Sequence, residues 1–167
     1  ELRDKAKDFP EARWHFIGHL QTNKVKYVVG KATLVHSVDS EKILEALSER
    51  AEREKLVQDV LLELNLSGDK TKTGAPESLL PQLAAKAGAL PGVRLKGLMT
   101  MGPASASEKD TRAAFRRLKE LSASLTLSPQ IAPELSMGMS GDFEIAIEEG
   151  ATLVRIGTAI FGERPPG

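Results

Sequence analysis

The sequence contains no cysteine. That excludes a disulfide framework and any thiolate metal site, and it fits a cytoplasmic protein. Histidine is scarce too: His15, His19 and His36 show no HExxH-like spacing, and no metal set is expected. Neither sign of charge is in excess, with 23 Lys plus Arg against 23 Asp plus Glu. A broad basic face for nucleic acid is therefore not expected. No apolar run approaches the roughly 18 residues of a membrane span, so no membrane partner is expected. The opening "ELRDKAKDFP" is too charged for a secretory signal. The 167 residues suffice for one domain with a real core.

What is present is an alternation of helix and strand patterns. Leu2, Ala6 and Phe9 fall on one helical face that Pro10 closes. Trp14–Gly18 reads as a strand, "LQTNKVKYVVGK" as a helix ending at Gly30, and "ATLVHSVDS" as a second strand. Ser40 can N-cap a helix with Ile43, Leu44, Leu47 and Ala51 on one face. "LVQDVLLELNLSG" reads as strand and the segment around Leu79–Ala89 as helix. "VRLKGLMTMG" is a fourth strand, followed by a helix carrying Phe115, Leu118, Leu121 and Leu125. "PELSMGMS", the short helix Phe143–Glu149 and a sixth strand, "ATLVRIGTAIFG", complete the pattern.

Such alternation implies parallel strands with helical crossovers, in an open doubly wound sheet or a (β/α)8 barrel. The third strand favours the barrel. Leu62, Leu64 and Leu66 alternate with Glu63, Asn65 and Ser67, giving one face for helices and one polar face. Six strands are read where a barrel needs eight, and the chain opens on a helix. The expectation is one barrel domain over residues 1–167, incomplete at its N-terminus, with two βα units upstream. It is expected as a monomer whose open sheet edge can self-associate.

Two small-residue turns follow the last two strands: Gly138-Met139-Ser140-Gly141 and Gly157-Thr158. In barrels this is where phosphate often sits, held by backbone N–H groups and hydroxyls. Small residues let backbone approach the anion. The alternative is that these glycines only make tight turns. Arg155 sharpens the choice, because it shares a strand face with Leu153 and Gly157, opposite Val154 and Ile156. A guanidinium pointing into the barrel mouth needs a partner: a bound anion, an acceptor, or an inward carboxylate such as Glu63.

"WHFIGHLQTNK", "GLMTM" and "LSMGMSGDFEIAIEEGATLVRIGTAIFG" together resemble the pyridoxal phosphate homeostasis proteins, relatives of the alanine racemase barrel. The resemblance runs from Trp14 to Phe161. It implies an alanine racemase-type (β/α)8 barrel that binds pyridoxal 5'-phosphate (PLP) and serves intracellular vitamin B6 homeostasis by carrying or buffering the cofactor. It assigns the phosphate to Ser140, Gly157 and Thr158, with Gly141 in the same turn, and the ring nitrogen to Arg155. The family holds PLP as a Schiff base on a lysine at the end of its first strand, which is expected upstream of this chain. None of Lys24, Lys26, Lys31, Lys70 or Lys72 is assigned that role. No catalytic residue is assigned. The alternatives are a PLP-dependent amino-acid racemase-like enzyme, for which Tyr27 is the lone tyrosine, and a phosphate-ligand barrel enzyme using groups such as Asp39, Asn65 and Asp142. Asp142 is expected to cap the helix after it.

Overall fold

The computed structural model describes residues 2–67, 73–103, 107–125 and 132–163. Six parallel strands lie side by side in chain order: β1 (His15–Phe16), β2 (Leu34–Val38), β3 (Gln58–Leu64), β4 (Val93–Thr100), β5 (Glu134–Met139) and β6 (Leu153–Arg155). Helices intervene: α1 (Leu2–Asp8), α2 (Glu41–Arg53), α3 (Leu80–Ala89), α4 (Glu108–Ala123), α5 (Phe143–Glu148) and α6 (Thr158–Phe161). The order decides between the two architectures. A doubly wound sheet reverses direction at a switch point, whereas here every strand pairs with its sequence neighbour. The result is an arc of a (β/α)8 barrel with six of eight strands among the described residues.

The strand pleat sorts side chains onto two faces. Val35, Val60, Leu62, Leu64, Leu98, Leu135 and Met137 face the helices and join one core. Into it α2 inserts Ile43, Leu44, Leu47 and Ala51, the stripe expected from their spacing. From α4 come Phe115 and Leu118, both fully buried, and the partly covered Leu121; Leu125, also partly covered, packs from just beyond the end of the helix, which stops at Ala123. Each such side chain contributes about 1.5–3 kcal/mol by leaving water. On the concave face Leu34, Leu61 and Met99 form a separate apolar floor, against which Met101 and Leu153 pack. The same face also carries buried polar residues, His36, Glu63 and Ser136, the last two flanking Met99 in register.

Several elements differ from the sequence expectations. Strand β1 keeps only two residues of Trp14–Gly18. The expected helix before Gly30 is a 3-10 helix, Thr22–Tyr27, which buries Val25. Phe9 is exposed, although α1 forms. Ser40 occupies the N-cap of α2 without a side-chain cap bond, whereas the Ser107 hydroxyl caps α4 by accepting from the Asp110 N–H. The sixth strand ends at Arg155, and Thr158–Phe161 turns into α6 instead of continuing it. Lys70 and Lys72 lie outside the described residues, while Lys24, Lys26 and Lys31 are exposed. No described helix is long and apolar enough to cross a membrane.

Candidate functional site

The site forms where β5 and β6 end. Their pairing sets Met139 opposite Arg155, so the chain leaves both strands at the same level. Gly138 permits the first turn. Its φ of 90° disfavours other residues, and a Cβ there would lie 2.5 Å from the Ala146 Cβ. The turn that follows carries Ser140 to the second loop. There the Ser140 Oγ accepts from the N–H groups of Gly157 and Ala159, both at 3.2 Å. Asp142 does not cap α5 with its side chain. It locks the turn instead, its Oδ1 accepting from the Met139 N–H at 2.6 Å.

A cleft of about 620 Å³ opens between the two loops, lined by Met139, Ser140, Gly141, Gly157, Thr158, Phe161 and Gly162. Four of the five expected binding residues are thus brought together. Two observations test whether a phosphate ester fits. Among the described residues, a Cβ on Gly141 or Gly157 would meet no atom within 4 Å, so they leave the space beside both backbones open. The Ser140 oxygen is engaged as an acceptor, and among the described residues nothing takes its proton. That O–H, the Thr158 hydroxyl and the loop backbone make a donor-rich lining suited to an anion.

Arg155, the fifth residue, does not line the cleft; it ends β6, and its side chain turns to β4 and β5. Its Nη1 donates to the Ser136 Oγ at 2.7 Å and its Nη2 to the Thr100 carbonyl at 2.9 Å. Both acceptors are neutral. The alternative pairing with Glu63 is not made: the Glu63 Oε1 accepts from the Thr73 hydroxyl at 2.6 Å, and no described carboxylate forms an ion pair with Arg155. Burial raises the Glu63 pKa, opposed by the Thr73 bond. Burial lowers that of Arg155, and Asp142 and Glu63 partly offset the effect. Asp39 and Asn65 are half-buried at the ends of β2 and β3.

The sequence matches the family described as "Alanine racemase, N-terminal domain" over residues 1–165. The pyridoxal phosphate homeostasis protein of Aquifex aeolicus is 50% identical over 155 residues, covering 92% of this chain and 68% of that protein. The chain belongs to the pyridoxal phosphate homeostasis protein family. Among solved structures, PipY of Synechococcus elongatus with PLP bound superposes with a TM-score of 0.82 at 34% identity, covering 96% of this chain and 75% of that one. Alanine racemase of Corynebacterium glutamicum, at 18% identity and a TM-score of 0.71, shares the fold, and the chain covers 47% of it. The chain spans about two thirds of the length of such homeostasis proteins, 68% and 66% for those of Aquifex aeolicus and Pseudomonas aeruginosa.

For this family member, sequence reasoning missed the groups behind Arg155. Ser136 and His36 lie at 0% and 2% exposure, and the His36 Nδ1 is 2.8 Å from the Ser136 Oγ. The His36 Nε2 is 3.0 Å from the His15 Nδ1. The available signal was a histidine at an inward position of a largely apolar strand, "LVHSV".

Proposed function

We propose that this chain binds PLP and acts in intracellular PLP homeostasis, carrying or buffering the cofactor in the cytoplasm. The observation that carries the reading is the meeting of the Ser140 turn with the Gly157–Thr158 loop around a donor-lined cleft, two residues after Arg155 ends β6. Ser140, Gly141, Gly157 and Thr158 would hold the phosphate. Arg155 would meet the ring nitrogen. The names of the relatives and the PLP in PipY support the same ligand.

When bound, PLP supplies an aldehyde and an electron-withdrawing pyridine ring. Arg155 works against the second property. A guanidinium stays protonated and can only donate, so it disfavours a proton on the ring nitrogen and weakens the electron sink. Retention of the cofactor fits this arrangement better than carbanion chemistry, and no catalytic residue is assigned. Tyr27 is half-buried with Lys26 lying over its ring, and it does not line the cleft between the two loops.

The test is a PLP titration of the wild type and of Ser140→Ala combined with Thr158→Val. The double variant should bind at least about tenfold more weakly, the loss of two hydrogen bonds to a charged group. Equal affinity would remove these loops from the site.

A further inference from the structure

We propose that His36 is a positioning residue: acting through Ser136, it fixes the guanidinium of Arg155 and hence the contact Arg155 offers to the ligand's ring. The identity of that ligand rests on the PLP reading above; the hydrogen-bond chain does not.

Donor logic sets the direction of the chain. Arginine has donors and no acceptor, so at 2.7 Å the Ser136 Oγ must accept from Nη1. Ser136 retains one proton, and its other partner is the His36 Nδ1 at 2.8 Å. At this depth an unmatched O–H costs about 1–3 kcal/mol. Ser136 therefore donates to Nδ1, which must be bare. The proton of His36 then sits on Nε2 and is donated to the His15 Nδ1 at 3.0 Å. One direction runs through both histidines, and its start is fixed by the arginine.

A protonated His36 would break this order. Its Nδ1–H would face an oxygen already accepting from a cation, leaving the Ser136 proton without an acceptor. Burial, with His15 and Arg155 nearby, holds His36 neutral down to a pKa of about 3. Arg13 and Glu134 flank His15, and Asp142 and Glu63 flank Arg155. The two partners of Arg155, a hydroxyl and a carbonyl, orient the guanidinium without neutralising it. Its charge stays available to an incoming acceptor.

Two measurements on the full chain test this. In proton–nitrogen correlation spectra without ligand, His36 should show a bare Nδ1 and a protonated Nε2 from about pH 8 to 5, since a buried neutral histidine titrates below this range. The Arg155 side-chain signals should shift and broaden in His36→Leu and recover in His36→Asn, whose amide oxygen can replace Nδ1. The opposite tautomer, or unmoved arginine signals, overturns the inference. PLP and its deaza analogue, with C–H in place of the ring nitrogen, are then titrated into the three proteins. His36→Leu should lose about tenfold in PLP affinity, the worth of one oriented hydrogen bond to a charged donor, with no loss for the analogue. Equal losses for both ligands mean a merely structural histidine and overturn it. A wild type that binds neither ligand overturns the PLP reading, and the spectra alone then decide the role of His36.

Discussion

Ser140 and Gly157 are 17 residues apart, and the hydroxyl of the first accepts the N–H of the second at 3.2 Å. This cross-tie joins the loops after β5 and β6, and Ala159 shares it. The bonds are exposed, so each contributes little to folding, about 0.5–1.5 kcal/mol at most.

Ser140→Ala should therefore separate stability from binding. Urea unfolding is expected to shift by about 1 kcal/mol or less, because water replaces the lost acceptor. Affinity for inorganic phosphate should fall several-fold, since a donor to the anion is gone. A variant that loses stability heavily while retaining phosphate affinity would make Ser140 a structural tie only.

Gly138 and Gly141 should behave oppositely. At Gly138 a methyl group meets the Ala146 Cβ at 2.5 Å and the Phe143 Cα at 3.1 Å, on a backbone with φ of 90°. The left-handed backbone costs about 1–2 kcal/mol and overpacking about 1–3. Gly138→Ala should lower the urea midpoint by the equivalent of at least about 2 kcal/mol. Gly141→Ala meets no atom of the described residues within 4 Å, so it should leave the midpoint nearly unchanged and act on ligand affinity. Equal midpoints for the two variants would show that the β5 turn yields around Gly138.

The fold was legible because its signals are local. The apolar stripes of α2 and α4 and the inward Glu63 of β3 follow from spacing alone. The error at the end of β6 is also local: "TAIF" is apolar and short, and such a run reads equally as strand or as one helical turn. That the two Gly-and-hydroxyl turns lie side by side was legible because each follows one of the last two strands, which pair in the sheet. The chain behind Arg155 was not. His36 and Ser136 are 100 residues apart, and their contact depends on how the sheet curves, which spacing does not encode.

The ion network between α4 and α5 should show in acid. Glu149 accepts from Arg116 at 3.0 and 3.2 Å and from Arg112 at 3.1 Å. These bonds, that of Arg116 foremost, hold its carboxyl below the usual range. A depressed folded pKa contributes stability above the unfolded value, near 4.3, and that stability is lost as pH falls through the folded value. Glu149→Gln should accordingly be less stable than wild type at about pH 7 and converge on it below about pH 4. Parallel stability curves across that range would show that the network contributes nothing through charge.

His36 should act over a different window. Its folded pKa, about 3, lies below the ordinary value of 6.5. The unfolded chain therefore takes up a proton near pH 6.5 that the folded chain refuses. The contribution of neutral His36 is complete above about pH 6.5 and declines as pH falls toward 3, with a slope of at most about 1.4 kcal/mol per unit. His36→Asn has nothing to titrate there. Between about pH 6.5 and 5, where most carboxylates stay ionised in both states, wild type should lose stability faster than His36→Asn. Guanidinium or urea midpoints measured at half-unit intervals would reveal the difference in slope. Identical slopes would mean that His36 accepts a proton in the folded state, and the Ser136 hydroxyl would then have to turn away from it.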